Sequence, residues 1–108
     1  RWEANYARWL EWLKANGEIS DWQHEPRTFW FDNIQRGVRS YKPDFLVVGG
    51  TSPDAVTWHE VKGWMDQRSQ TCLKRMAKYH PDEVIILVRE KSYNKLCKGW
   101  GSVIEGWE

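Results

Sequence analysis

A chain of 108 residues with 41% hydrophobic content has room for one compact domain with a modest core. Its 16 basic and 15 acidic residues leave a net charge of +1, which on its own does not announce a nucleic-acid binder. No apolar stretch approaches the roughly 20 residues needed to cross a bilayer, so no membrane partner is expected.

The chain begins at Arg1 and carries no signal-peptide pattern. Cys72 and Cys97 lie far apart at no metal-ligand spacing, a usage that fits a reducing cytoplasm better than a disulfide scaffold. His24, His59 and His80 are scattered, which argues against a structural zinc site.

From Arg1 to Asn16 the pattern is helical. Trp2, Tyr6, Trp9, Leu10 and Leu13 fall on one stripe, and Asn16-Gly17 reads as the stop. Glu3 lies within that stripe. It either faces a cation or sits in the first turn, where acids suit the helix dipole and reach solvent. Ile19 to Phe31 reads as one or two strands broken near Pro26, and Asp32 to Ser40 as a basic loop.

A hairpin is predicted next, with strands Asp44 to Val48 and Ala55 to Lys62 around the Gly49–Asp54 turn. Asp66 to Tyr79 reads as a helix with Met65, Cys72, Leu73, Met76 and Ala77 as its apolar stripe. Glu83 to Val88 reads as a buried strand, and Ser92 to Cys97 as a short helix. The Lys98–Glu108 tail gives no firm assignment.

Residues equidistant from a hairpin turn meet across it. The midpoint of Asp44 and Glu60 is Ser52, inside the turn, so the two carboxylates are expected side by side at the open end. Side-chain alternation puts Glu60 and Lys62 on one face and Val61 on the other. Pro53-Asp54 and Pro81-Asp82 offer similar dipeptides, but Asp54 leaves no room for a hairpin and Asp82 follows Glu60 in the wrong order.

Pro43-Asp44 with Glu60-Val61-Lys62 resembles the signature of the PD-(D/E)XK nuclease superfamily, which shares the restriction-endonuclease-like fold. The element order resembles that fold's αβββαβ core, an α/β architecture with a mixed central sheet flanked by helices. On this reading residues 1–108 form a single domain. The Glu-Val-Lys-Gly-Trp run and the basic helix after it look like small phage-encoded and Holliday-junction-resolvase-like members.

The resemblance implies a Mg²⁺-dependent DNA endonuclease, with Mn²⁺ able to substitute, in the cytoplasm of a bacterial or phage-infected host cell. Asp44, Glu60, the main-chain carbonyl of Val61 and the helix acid Glu3 would hold the metal. Lys62 would orient or deprotonate the attacking water. Duplex cutters, nickases and resolvases share this chemistry and differ in dimer geometry, so a homodimer is compatible with it.

Charge distribution adds to this. Residues 43 to 67 hold Asp44, Asp54, Glu60 and Asp66 against Lys62 alone, between two basic segments. Those segments nominate Arg27, Arg36, Arg39, Lys42, Arg68, Lys74, Arg75 and Lys78 as DNA contacts; the bland alternative is a solvated surface. Nine tryptophans exceed ordinary usage. Most suit core packing, while Trp30, Trp58 and Trp64 lie near the proposed site and could stack on bases. The competing functional class is a nucleic-acid-binding module that keeps the fold and does not cut.

Overall fold

The computed structural model describes residues 2–108. The elements in chain order are α1 (Trp2–Ala15), β1 (Asp21–His24), β2 (Phe29–Trp30), β3 (Ser40–Tyr41), β4 (Phe45–Val48), β5 (Val56–Val61), α2 (Gln67–Tyr79), β6 (Ile85–Val88) and α3 (Glu90–Trp100). Four strands form one sheet in the order β1-β4-β5-β6, and β2 pairs with β3 in a separate ribbon. β1–β4 and β4–β5 are antiparallel, whereas β5–β6 is parallel across the α2 crossover. The fold is α/β with a mixed sheet.

Strand alternation divides the core in two. Phe45, Val47 and Val61 face α1 and α3, where Tyr6, Leu10 and Tyr93 meet them. Leu46, Trp58 and Ile85 face the other way, onto Met76 and Cys72 of α2 and onto Phe29, Phe31 and Tyr41 of the ribbon segment. Helices therefore cover both faces of the sheet. Among the described residues, no helix is long and apolar enough to cross a membrane.

The hairpin register has Phe45 opposite His59 and Val48 opposite Val56, symmetrical about Ser52. Gly49 and Gly50 both have φ of +97° at the start of the turn. A Cβ on Gly49 would lie 2.7 Å from the Ser20 backbone nitrogen, so only glycine lets the turn dock on the chain entering β1.

Three segments differ from the sequence reading. The strand region broken near Pro26 contributes to two sheets. Glu25 takes a left-handed φ of +46°, Pro26 follows, and the chain leaves the main sheet. The segment expected as a loop ends in β3, whose Tyr41 pairs with Phe29. The last helix is longer than Ser92 to Cys97. It packs Tyr93 in the core, and the tail returns to α1, where Asn5 is fully buried. The Asn5 amide donates to Tyr93 Oη (2.7 Å) and to the Glu108 carbonyl (3.2 Å), and its oxygen accepts from the Glu108 amide (2.9 Å).

Candidate active site

One step beyond the Phe45–His59 pair, Asp44 stands opposite Glu60 at the open end of the hairpin. On the other side, the Glu25 amide donates to the Asp44 carbonyl at 2.8 Å, continuing the β1–β4 register. Asp44 is only 6% exposed. Its Oδ2 accepts from the Val61 amide at 2.8 Å, and the negative charge of Glu3 lies near enough to act on it. Glu60 is held by the Tyr41 hydroxyl, which donates to Oε1 at 2.7 Å, and the Asp44 backbone amide favours its charged form. Val61 turns its side chain into the α1-facing core, leaving its amide to position Asp44.

Beside Glu60 lies an open cleft of about 330 Å³ between β5, β3 and the start of α2. Lys62, Lys42 and Arg68 line it, together with Asp66, Ser69 and Cys72. Asp66 caps α2, its Oδ1 accepting from the Ser69 amide at 2.7 Å. Burial pushes the Cys72 thiol up, which argues against a thiolate nucleophile at neutral pH.

The acids disfavour one another's charge. Burial, with the Glu60 and Glu3 charges added, pushes the Asp44 carboxyl up to about 7, against the downward pull of the Val61 amide. Burial also raises Glu60, offset by the Tyr41 hydroxyl, the Lys62 charge and the Asp44 amide. Burial pushes the Tyr41 phenol up so that it remains a donor. Asp44, buried, Glu60, half-buried, and Glu3 at the rim offer oxygen donors of the kind a hard divalent cation takes, although among the described residues only Glu3, His24 and Glu25 bring three ligand atoms within 4.8 Å of one another.

Glu3, Asp44, Glu60 and Lys62 are brought together, and Lys42 and Arg68 join them at the cleft. Glu3 is neither buried in the stripe nor free. It sits at the rim, 3.1 Å from His24 Nε2. There Glu3, His24 and Glu25 form an exposed group whose ligand atoms lie within 4.8 Å of one another.

The other nominated residues lie elsewhere or are occupied. Arg27 covers the Phe29 ring at 4.3 Å and pairs with Glu83 at 3.9 Å. Arg75 does not project freely from α2, because its guanidinium donates to the Val38 carbonyl and ties the helix to the ribbon. Arg36 and Arg39 are exposed on the β2–β3 segment and do not line the cleft. Lys74 and Lys78 are exposed on α2 away from the cleft lining. Trp58 is core, 4% exposed and edge-on to Phe29, so it cannot stack on a base, whereas Trp30 and Trp64 are 61% and 72% exposed.

Sequence reasoning missed Tyr41, His24 and Glu25. Tyr41 carried one available signal: it begins the Tyr-Lys-Pro-Asp run, close enough to Asp44 to share its site. Replacing it by Phe removes a donor from Glu60. Metal affinity should fall about tenfold. Because the Tyr41 bond holds the Glu60 pKa down, the acidic limb of any pH–rate profile should also move to higher pH, and titration calorimetry with Mn²⁺ checks the affinity.

Comparison of the chain with protein-family models, with curated proteins and with solved structures finds no significant match in any of the three. The chemistry of the site carries the functional argument.

Proposed function

We propose that this protein is a divalent-metal-dependent DNA endonuclease of the PD-(D/E)XK type. The observation that carries the reading is the convergence of Glu3, Asp44, Glu60 and Lys62 at one end of an in-register hairpin, beside a cleft lined by further cations. The strand order supports a restriction-endonuclease-like core: an antiparallel meander of β1, β4 and β5, then a helical crossover to a parallel β6, with the β2–β3 ribbon inserted between β1 and β4.

Asp44 and Glu60 would hold the metal, with Glu3 at the rim and the Val61 carbonyl as a main-chain donor. Bound there, Mg²⁺ supplies positive charge to the reacting phosphate and makes water more acidic. The chain's own residues do the rest. The Val61 amide and Tyr41 hydroxyl keep the two carboxylates aimed, since neither can rotate without losing a hydrogen bond. Lys62, on the same face as Glu60, orients the attacking water, takes up or shares its proton, and offsets the charge that develops on the phosphoryl oxygens. Lys42 and Arg68 hold neighbouring phosphates in the cleft.

The test is cleavage of plasmid, single-stranded, flap and four-way DNA with Mg²⁺, Mn²⁺ or EDTA. Metal-dependent cutting that Asp44→Asn abolishes supports the reading. Uncut DNA in every metal, together with salt-dependent binding, would replace it with the non-cutting binding module.

Because Lys42 and Arg68, rather than Arg75, line the cleft, Lys42→Gln/Arg68→Gln is the informative binding variant. DNA affinity should drop, and the salt slope should shrink by about 2, close to one for each phosphate that is no longer neutralised. Fluorescence anisotropy at several salt concentrations measures both. An unchanged slope would move the DNA path to Lys74 and Lys78.

A further inference from the structure

The two edges of the sheet are built differently. β1 carries Asp21, Gln23 and His24 and is further marked by the Asp21–Lys14 ion pair at 3.1 Å. Such charged and polar side chains discourage strand addition. β6 has no such protection. Val84 to Val88 is apolar throughout, with neither proline nor charge, and Val84 and Ile86 are 52% and 42% exposed.

The hydrogen bonding of β6 fixes which backbone groups face outward. The Trp58 amide donates to the Val84 carbonyl and the Lys62 amide to the Val88 carbonyl. Even-numbered residues of this strand therefore turn their backbone groups toward β5, and Ile85 and Leu87 present amide and carbonyl to the open edge.

We propose that this edge pairs with β6 of a second copy, antiparallel and centred on Ile86. In that register Ile85 faces Leu87 of the second copy, and Leu87 faces its Ile85. Both are pairs of outward-pointing residues, giving four inter-copy hydrogen bonds about a two-fold axis. The same register sets Glu83, which within its own chain accepts from the Trp58 indole at 3.3 Å and pairs loosely with Arg27 at 3.9 Å, against Arg89 of the second copy, twice by symmetry. A one-residue shift breaks the hydrogen-bond parity. A two-residue shift restores it but opposes Glu83 to Leu87, or Ile85 to Arg89. Pairing ends naturally beyond these residues, at the Pro81–Asp82 turn on one side and at α3 on the other.

A groove of about 300 Å³ beside the edge, lined by Leu73, Met76, Ala77, Ile85 and Leu87 with Glu83 at one end of the strand, would be covered in part by the apolar pairs on that face. The contact is short, so the dimer is concentration-dependent, assembling in the micromolar range and above. This inference stands independently of the nuclease reading.

Sedimentation analysis of the 108-residue chain from micromolar to several hundred micromolar should show the mass doubling. Ile86→Lys and Ile86→Glu each place like charges on the two-fold axis and should be monomeric, while their equimolar mixture should dimerise again. A parent that stays monomeric, a dimer that survives both substitutions, or a mixture of folded variants that fails to pair would each overturn the proposal. Hydrogen exchange on the unmutated chain gives a second reading. The Ile85 and Leu87 amides should become protected only as concentration rises, while the Ile86 amide is protected throughout; concentration-independent exchange at Ile85 and Leu87 would also overturn it.

Discussion

Lys62→Met should slow DNA cleavage by on the order of 10²–10⁴-fold while leaving the fold and DNA binding nearly intact. The substitution keeps the aliphatic stem that lies along the cleft and removes only the ammonium. Lys62 is half-buried, with no hydrogen bond or ion pair to another side chain among the described residues, so the change should be worth only a few tenths of a kcal/mol in stability. Single-turnover cleavage at saturating protein isolates the chemical step from binding. A variant that cuts at the parental rate would remove Lys62 from the mechanism. One that loses affinity but not rate would make it a phosphate anchor, the role proposed for Lys42 and Arg68.

Asp44→Asn should abolish metal-dependent cutting and yet stabilise the metal-free protein at neutral pH. Asp44 has a folded-state pKa pushed up to about 7 from an ordinary 3.8. Between those values the folded chain keeps a proton that the unfolded chain has released. Its contribution to stability therefore falls as pH rises from about 4 to 7 and stays absent above that.

His59 works in the opposite direction. Burial pulls its pKa from 6.5 down to about 4, with its ring nitrogens bound to the Tyr6 hydroxyl at 2.6 Å and Thr57 Oγ1 at 3.1 Å. The unfolded chain takes up that proton first, so stability present above pH 6.5 is lost as pH falls toward 4. In the parent the two trends largely cancel across that window.

The asparagine removes one trend and exposes the other. It should gain on the order of 1 kcal/mol at pH 8, about 5 °C in Tm for a chain of this size, and then lose stability steadily on acidification. Asn can still accept from the Val61 amide, so the backbone lock survives. Adding Mg²⁺ or Mn²⁺ at about pH 8 should raise the Tm of the parent and not of the variant. Melts across pH, with and without metal, test this. A variant less stable than the parent under those mildly alkaline conditions would mean that the carboxylate is held by favourable contacts rather than by strain awaiting a cation.

The parts of this site that could be read in advance are the local ones. Asp44 and Glu60 sit in one hairpin, and a Gly/Ser/Pro turn with alternating strands dictates their register by simple counting. Glu3 could be placed by helical phase, although its phase could not say whether it would be buried or at the rim. What lay hidden depends on contacts between distant elements. The β2–β3 ribbon pairs strands only two residues long, too short for alternation to register, and it brings Tyr41 onto Glu60. Glu25 reaches Asp44 through the β1–β4 pairing, which joins strands separated in sequence by that ribbon. Arg75 looked like a solvent-facing cation by helical phase, but the ribbon supplies a carbonyl there. Trp58 was legible as strand but not as core, since which face of a strand is buried depends on what packs against it.

The Asn5–Glu108 contact joins residues that are 103 positions apart. Closing so long a loop carries an entropic cost that grows with the logarithm of its length, and contacts of this kind form late in folding. The hairpin, by contrast, needs only local closure. Asp44 and Glu60 are set by local pairing, whereas Glu3 depends on how α1 is held, by Tyr6 and Leu10 in the core and by Asn5 at its first turn. Fraying of the tail would remove one anchor of α1 and leave its core contacts in place. The third carboxylate of the acid cluster is thus tied, through Asn5 on the same helix, to the far end of the chain.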